Sequence, residues 1–460
     1  MLRVQRSFLI LILACALYIP TMGNAQDQGF TLAQAVQQAL VSNPEIAAAS
    51  ADITVLDARR GQLHAREGLT VNIIGSSTFL SSQPVMSVEP MTMHLPASLG
   101  GATFPVQIPD MPLANHNLTL AELTVQYPLY TGGRINSALD QVEHGKDTLK
   151  EVLDAKREEI ALNTIRAYLG VVLAQRVAGA ADEAYEIAKL HEVQAQKLLD
   201  NGQVAKYDLI RAQTEVANLN RRKMDAHNQV ELALSYLQAL IGKTDLPLPP
   251  LTTSLNGLEK FDQSLAVVTG AAHTSSHTLQ ALGARDKMYQ AAEDSARAES
   301  HPLLAAVATR ELYINDQPFS TPKYTLGVMF TIPIFDGGMS KGKVAEHEAL
   351  RERNRQDVRR ANDGIQLEVH KYYLDFQNAK QALASADQAV LLAQESLRLA
   401  TRRFEESQGT SLEMMDANIA LLLAKTNREQ ALYQYDLAYY GLKKMTGGIL
   451  SEFPNTEVAK

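Results

Sequence analysis

The stretch that decides the fold reads Tyr-Pro-Leu-Tyr-Thr-Gly-Gly over residues 127–133, and it returns as Ile-Pro-Ile-Phe-Asp-Gly-Gly over residues 332–338. The same register, an offset of about 205 residues, continues without a gap to Gly242 and Gly447. A second, weaker echo with an offset of about 233 residues relates residues 32–46 to residues 265–279. The chain is therefore predicted to contain two copies of one long unit.

Each motif is predicted to be a turn from a strand into a helix. Proline has no amide hydrogen and is expected to end the strand's ladder, and paired glycines permit a sharp change of direction. We assign these residues a structural role and no catalytic role. The six residues of the strand-to-helix turns are Pro128, Gly132, Gly133, Pro333, Gly337 and Gly338.

Alternating residues before each motif predict β-strands. Apolar side chains at every second position from Tyr324 to Ile332 face one way, and the residues between them face the other. This pattern and length fit the ~9–11 residues of a tilted membrane strand, although a half-buried soluble strand alternates in the same way. Residues 118–127 repeat the pattern with one slip of phase near Glu122, and residues 69–73 begin a further strand. Each copy is thus expected to supply two strands.

Very long helices are predicted after both motifs, running to about Asp200 and Glu405. At about 1.5 Å per residue each would reach roughly 100 Å. Apolar residues at steps of three, four and seven from Leu139 to Ile160 indicate a coiled-coil seam. Return helices over residues 205–241 and 410–445 complete two antiparallel hairpins.

The remaining segments give the domain organisation. Residues 1–25 have the basic start, apolar run and small-residue end of a signal peptide. The only cysteine, Cys15, is expected to be removed with it, and a lipid anchor at Cys15 is the alternative. The first repeat is predicted over 26–242, a Pro-rich linker over 243–263, the second repeat over 264–447 and a C-terminal tail over 448–460. Residues 81–117 form an aperiodic insertion of the first copy, expected to be a loop.

Composition excludes some functions. After residue 25 no run of 18 or more apolar residues occurs, so no membrane-spanning helix is predicted. A net charge of -8 and the absence of Trp argue against nucleic acid as a partner.

With four strands per chain, an open sheet in lipid would leave unpaired amides, so the edges must be closed by further copies. Two copies would give a barrel filled by its own side chains, and three would give twelve strands with room for a lumen.

At this point the chain resembles the TolC-like outer-membrane efflux proteins, also called outer membrane factors. The resemblance rests on residues 32–36 and 43–46, both strand-to-helix turns, residues 202–208 and 211–213, and residues 412–417. It implies a fold of mixed α and transmembrane β structure: a homotrimer whose twelve-stranded barrel crosses the outer membrane of a Gram-negative bacterium. A long α-helical coiled-coil barrel would continue it through the periplasm.

The resemblance also implies the function and the partners. Such a channel is the exit duct of a tripartite efflux or type I secretion system, docks on a periplasmic adaptor (membrane fusion) protein and an inner-membrane pump, and contacts outer-membrane lipid. Two other classes stay open on the residues alone, a periplasmic adaptor and a coiled-coil scaffold. An adaptor would carry one hairpin between β-rich halves, and a scaffold would not need amphipathic strands or Gly-Gly turns.

The resemblance further suggests site residues at the hairpin tips. Glu413 and Asp416 match two acidic positions that form rings at the periplasmic mouth in that family, so we expect a periplasmic gate there. The alternative is that they are ordinary first-turn carboxylates, which a helix N-terminus favours. The predicted adaptor-docking residues at the tips are Gly202, Val204, Tyr207, Asp208, Gln408, Gly409, Thr410 and Ser411.

We expect no enzymatic activity, no cofactor and no metal site. Residues 241–244 imitate the end of a phosphate loop, but Leu237 stands where that motif requires glycine. The eleven histidines lack metal-protease spacing. The methionines of residues 83–114, with His94, are the residue types of a soft-metal site, but we expect a flexible outer loop.

Overall fold

The structure, a computed structural model, describes residues 29–243, 248–257, 261–315 and 322–453. The predicted signal peptide with Cys15, parts of the predicted linker and the end of the predicted tail lie outside these residues. The domain boundaries given above therefore stay predictions.

Eight α-helices, one short 3-10 helix (Ala97–Leu99) and eight strands are found in the described residues. The helices are α1 (Leu32–Ser42), α2 (Pro44–Glu67), α3 (Arg134–Asp200), α4 (Lys206–Leu240), α5 (Leu265–Ser275), α6 (His277–Ala298), α7 (Met339–Glu405) and α8 (Ser411–Met445). The strands are β1 (Thr70–Phe79), β2 (Val85–Met86), β3 (Met91–His94), β4 (Thr103–Val106), β5 (Met111–Pro112), β6 (Asn117–Tyr130), β7 (Leu303–Ile314) and β8 (Tyr324–Thr331).

The duplication is visible in the lengths of the helices. Both α3 and α7 have 67 residues, and both α4 and α8 have 35. Each of these pairs is related by the offset that the two Gly-Gly motifs define. The shorter helices α1 and α5 have 11 residues each and follow the second offset. The boundaries of these helices thus repeat with the sequence register, whereas α6, with 22 residues, is shorter than its counterpart α2, with 24.

Caps account for several helix starts. The Thr31 hydroxyl accepts a hydrogen bond from Gln34 N, while the Gln34 side chain accepts one from Thr31 N, which is a capping box. Ser276 and Thr410 cap α6 and α8 through their hydroxyls in the same way.

The main sheet has four antiparallel strands in the order β1-β6-β7-β8, so that β1 and β8 are its edges. The slip of phase predicted near Glu122 is confirmed, because the β6–β7 register shifts between Ala121 and Glu122. The prediction that Pro128 ends its strand is wrong. Pro128 pairs with Ala305 inside β6, and the ladder shifts register after it before closing at Tyr130, since a bulge accommodates the missing amide hydrogen.

The insertion of the first copy is more regular than expected. Val85–Met86 pairs with Met111–Pro112, and Met91–His94 pairs with Thr103–Val106. Residues 81–117 therefore fold back on themselves as two short antiparallel ladders. These ladders could not be predicted from the sequence, because strands of two to four residues are too short to show an alternating pattern.

The chain divides into two compact units. One contains Ala47–Ala155 and Ser276–Gly364, which include the sheet. The other contains the remaining described residues and the core around Tyr168, whose hydroxyl donates to Phe30 O at 2.7 Å and accepts from Thr253 N at 3.1 Å. In this unit the buried carboxylate of Asp436 accepts from Asn256 N and Gly257 N, both at 3.1 Å, and so fixes part of the linker. None of the helices in the described residues has the length and hydropathy needed to cross a membrane.

Candidate functional site

The strand-to-helix turns depend on glycine at both sites. Gly132 and Gly133 have φ of +64° and +84°, and Gly337 and Gly338 have φ of +70° and +90°. Residues that carry a Cβ atom are strained in this left-handed region of φ. The structural role predicted for these glycines therefore agrees with their backbone geometry.

The first turn is packed within the chain. His301 Nδ1 donates to Gly132 O at 2.7 Å, and Arg134 Nη2 donates to Glu299 O at 3.2 Å. A methyl group added to Gly132 would collide with the side chain of His301 and press on Pro302 O. The β6–α3 turn is therefore held against residues 298–303, the corner between α6 and β7.

The second turn is capped locally instead. The Asp336 carboxylate accepts from Gly338 N at 2.9 Å and from Ser340 N at 2.8 Å, and the Ser340 hydroxyl also donates to it. The Ser340 hydroxyl and these amides lower the pKa of Asp336 to about 2, so it stays ionised. The preceding residues Ile334 and Phe335 are 93% and 88% exposed.

The sheet exposes apolar side chains along both edge strands. On β8 the predicted apolar face, Tyr324, Leu326, Val328 and Phe330, is largely exposed. On β1 the side chains of Val71, Ile73 and Phe79 point to one face and are exposed as well. Apolar strands of this kind fit a lipid environment.

The hairpin tips differ in the residue that reverses the chain. Gly202 has φ of +71° in the first tip, and Ser407, its counterpart, has φ of +56° in the second. Gly409, the glycine that the sequence suggested for the second tip, does not have positive φ, and a Cβ there would press on Arg403 and Phe404. Gln408 N and Gly409 N both donate to Arg403 O, at 2.8 and 2.9 Å, which closes the second tip.

The acidic residues after the two tips have different partners. Asp208 accepts from Ala205 N at 3.3 Å and so helps to begin α4. Its counterpart Glu413 has its Oε2 3.5 Å from Nη1 of Arg403, while Glu413 N donates to the Thr410 hydroxyl at 3.2 Å. Asp416, one turn further along α8, is exposed. The structure thus places Glu413 and Asp416 on one accessible face and adds Arg403, which sequence reasoning missed.

A buried histidine also joins the two hairpins. His191 Nε2 lies 2.8 Å from Ser411 Oγ, and its ring meets the Phe404 ring edge-on at a centroid distance of 4.5 Å. Burial lowers the pKa of His191 to about 4, although the Asp208 carboxylate opposes this shift. Residues 191 and 411 are 220 positions apart, so no local pattern indicated the pair.

No cluster of three or more His, Cys, Asp or Glu side chains able to hold a metal occurs among the described residues. The expectations of no metal, cofactor or enzymatic activity are not tested by this observation.

Comparisons with known proteins agree with this architecture. Residues 35–243 and 268–448 match the family described as outer membrane efflux protein. The chain is similar to the outer membrane protein TolC of Escherichia coli, 21% identical over 441 residues that cover 92% of this chain and 83% of TolC. Among solved structures it resembles VceC of Vibrio cholerae, with a TM-score of 0.69, 17% identity and coverage of 91% and 96% of the two chains. It also resembles the open outer membrane channel MtrE of Neisseria gonorrhoeae, with a TM-score of 0.70, 16% identity and coverage of 91% and 89%.

Proposed function

Since the chain belongs to the outer membrane efflux protein family, we propose that it is the exit duct of a tripartite efflux or type I secretion system. In this role it receives substrates from an inner-membrane pump and a periplasmic adaptor and releases them outside the cell. The family assignment agrees with the resemblance found in the sequence. The pump, the adaptor and the location in a Gram-negative outer membrane with a large periplasmic portion belong to the proposal.

The observation that carries the proposal is the open four-stranded sheet. Within the part of the chain that the structure describes, no further strand pairs with its edges β1 and β8, which also carry exposed apolar side chains. In lipid each unpaired group costs several kcal/mol, so the sheet must close. Three copies would close it with twelve strands, enough for a lumen, whereas two copies would give a barrel filled by side chains.

The hairpin tips support the docking part of the proposal. Val204, Tyr207 and Asp208 lie at the first tip, and residues 408–411 lie at the second. The aromatic side chain of Tyr207 is largely exposed. Exposed aromatic side chains beside tight turns are suited to interlock with the helices of another protein.

The periplasmic gate is the third part of the proposed function. Glu413 and Asp416 lie on one face at the start of α8, so three copies would place six carboxylates around one axis. Like charges within a Debye length of about 8–10 Å repel each other unless cations or protons intervene. We infer that these residues form a constriction that holds cations at the periplasmic mouth.

Assembly and conduction test the channel directly. Purified protein in detergent should have the mass of three chains by light scattering corrected for bound detergent, and it should conduct ions in planar bilayers. A monomer that does not conduct would contradict the proposal and would favour an adaptor or a scaffold.

Docking is tested best at Tyr207 and not at the glycines. Replacing Gly202 would strain a left-handed backbone, so a loss of function there would not be specific. Tyr207→Asp should reduce both efflux and cross-linking to the adaptor, with trimer formation unchanged. The control is Tyr207→Phe, which keeps the exposed aromatic ring at the same position. Equal efflux in both variants would remove the first tip from the docking surface.

A further inference from the structure

His191 lies between the two ends of the second hairpin tip. Phe404, the last residue but one of α7, meets the imidazole ring edge-on at a centroid distance of 4.5 Å. Ser411, the first residue of α8, has its Oγ 2.8 Å from Nε2 of the ring. All three residues are buried. One side chain of α3 thus contacts both helices that the tip connects.

The hydrogen bonds assign the position of the hydrogen on this ring. The Ser411 hydroxyl donates to Met415 Sδ at 3.6 Å, so its oxygen accepts from Nε2–H of His191. A neutral imidazole that carries its hydrogen on Nε2 has a bare lone pair on Nδ1. Nδ1 is buried, and it has no hydrogen-bond partner in the part of the chain that the structure describes. A second proton on the ring would therefore occupy a buried position without an acceptor.

The charges around His191 do not compensate for this second proton. From α4 the carboxylate of Asp208 favours the charged ring, but burial has the larger effect and lowers the pKa of His191 to about 4. Helix α8 contacts the ring through the uncharged Ser411, while its Glu413 pairs with Arg403. On α3 the residues one turn away are uncharged: Ile187, Ala188, Gln194 and Ala195. The side chains of α7 that border the same groove carry two charges of each sign: Arg398, Arg402, Glu405 and Glu406.

A charged ring at this position can be stabilised only by water. A buried imidazolium N–H without an acceptor loses its hydration and gains no hydrogen bond in return. Water reaches Nδ1 when Phe404 and Ser411 move away from α3, since these residues cover the ring. In that separated state the ring takes up a proton near its ordinary pKa of 6.5. Acid therefore favours the separated state, increasingly so as the pH falls from about 6.5 towards 4.

The contact between α3 and α8 continues beyond His191 without a titrating group in its core. Two turns along α8, Asn418 Nδ2 donates to Ala184 O at 2.9 Å. The two helices then share a core cluster around Ala184. A separation at His191 is thus confined to the tip and the first two turns of α8, which include Glu413 and Asp416.

We propose that the contact of His191 with Phe404 and Ser411 is a proton-sensitive latch. In its neutral form His191 holds both ends of the second tip on α3, and when it takes up a proton the tip and the start of α8 separate from α3. For the channel the inference rests on the proposed function, because the released turns carry Glu413 and Asp416 of the proposed gate. Acid on the periplasmic side then loosens the constriction.

The accessibility of a buried thiol tests the latch directly. Met415→Cys places a thiol on a residue that is 7% exposed and bonded to Ser411. Its rate of reaction with a dipyridyl disulfide, which still reacts with thiols in acid, is divided by the rate for Gln203→Cys, an exposed position at the first tip. This ratio should rise by about tenfold or more when the pH is lowered from about 7.5 to about 4.5.

The matched control carries His191→Gln together with each cysteine variant. Glutamine donates to Ser411 but does not titrate, so the ratio of rates should stay constant with pH. A ratio that is independent of pH with His191 in place, or that rises equally with Gln at position 191, would overturn the latch.

A second variant keeps the test decisive if His191→Gln does not fold. Asp208→Asn removes the anion that favours the charged ring but keeps a side chain that can cap α4. The pH at which the thiol at position 415 becomes half-accessible should then move to a lower value. An unchanged midpoint would show that another group titrates and would overturn the latch.

Conductance in planar bilayers separates the latch from the channel. Acid on the periplasmic side should raise the conductance of the parent protein more than that of His191→Gln, and both proteins keep Glu413 and Asp416. A conducting protein whose thiol accessibility does not depend on His191 would overturn the latch alone. A protein that does not conduct, but whose thiol accessibility depends on His191, would overturn the channel and leave the latch intact.

Discussion

Helices α3 and α7 are copies of the same length that the chain buries to different extents. From residue 156 onward α3 buries many apolar side chains, including Ile160, Ile165, Tyr168, Leu169, Val171 and Ala195. From residue 365 onward α7 buries fewer and exposes Leu367, Leu374, Leu391, Leu392 and Leu399. The difference arises because α3 packs on both α4 and α8, as in the cluster of Ala184 with Leu219 and Leu422.

The chain therefore covers the long helix of its first repeat, α3, by its own packing, but leaves the corresponding helix of the second repeat, α7, largely uncovered. Asn418 Nδ2 of α8 donates to Ala184 O of α3 at 2.9 Å, and Lys425 forms an ion pair with Glu183. The corresponding contact would join α7 to α4, which likewise exposes Ile210, Leu232 and Tyr236. In the proposed trimer, further copies would cover these exposed apolar faces.

The largest expected effect concerns one tyrosine that occurs in both copies. Tyr168 is fully buried and hydrogen-bonded, whereas its counterpart Tyr373 is half-exposed. Tyr168→Ala should lower the free energy of unfolding by about 3–5 kcal/mol, and Tyr373→Ala by less than about 1 kcal/mol. Urea titrations followed by circular dichroism measure both, at a detergent and protein concentration where the chain is monomeric. Equal losses would show that α7 is as well covered as α3.

The second prediction uses the buried histidine, whose counterpart Ser396 does not titrate. In the unfolded chain His191 takes up a proton near its ordinary pKa of 6.5, but in the folded chain it does so only near a pKa of about 4. Between these values the unfolded state binds more protons, so stability should fall as the pH is lowered from about 6.5 towards 4, by up to about 3 kcal/mol.

The control for this effect is His191→Gln, which keeps a side chain able to bond with Ser411. Urea midpoints at about pH 7.5 and 4.5 should differ less in this variant than in the parent protein, by the amount that His191 contributes. The same pH dependence in both proteins would show that the fall in stability comes from other groups.

The third prediction separates packing within the chain from packing between copies. Ala291 on α6 is buried, and Ala58, which matches it on α2, is exposed. Ala291→Leu should cost about 1–3 kcal/mol of folding stability by overpacking. Ala58→Leu should change the stability of the monomer by less than about 0.5 kcal/mol but reduce the yield of trimer. Thermal melts and light scattering on both variants provide the comparison, and a stable trimer with Leu at position 58 would contradict it.

The sequence predicted the helices well, because their ends are encoded locally. The Gly-Gly turns and the tip residues placed the ends of α3 and α7 at Asp200 and Glu405, where the structure has them. The alternation of residues 324–332 likewise located β8 to within one residue.

What the sequence did not predict depends on contacts between distant residues. The pocket of His191 needs Ser411 and Phe404, which only tertiary packing brings near. At the second tip the positive φ falls on Ser407 and not on Gly409, and hydrogen bonds from two successive amides to Arg403 O close that turn. The acid pair Glu413 and Asp416 was found only through the family resemblance, because first-turn carboxylates are common at any helix start.

The smallest expected effect on stability, and the sharpest test of function, concerns this pair. Both side chains are exposed, so Glu413→Gln with Asp416→Asn should change folding by less than about 0.5 kcal/mol. In planar bilayers the variant should show lower cation selectivity and weaker block by multivalent cations added from the periplasmic side.

Asp208→Asn in the first hairpin should have a smaller effect, because Arg211 occupies the place of the second acid there. Arg403→Gln should strengthen the block, since it frees Glu413 from its ion pair. If neutralising the pair leaves selectivity and block as in the parent protein, Glu413 and Asp416 are ordinary helix-start residues, and the constriction lies elsewhere.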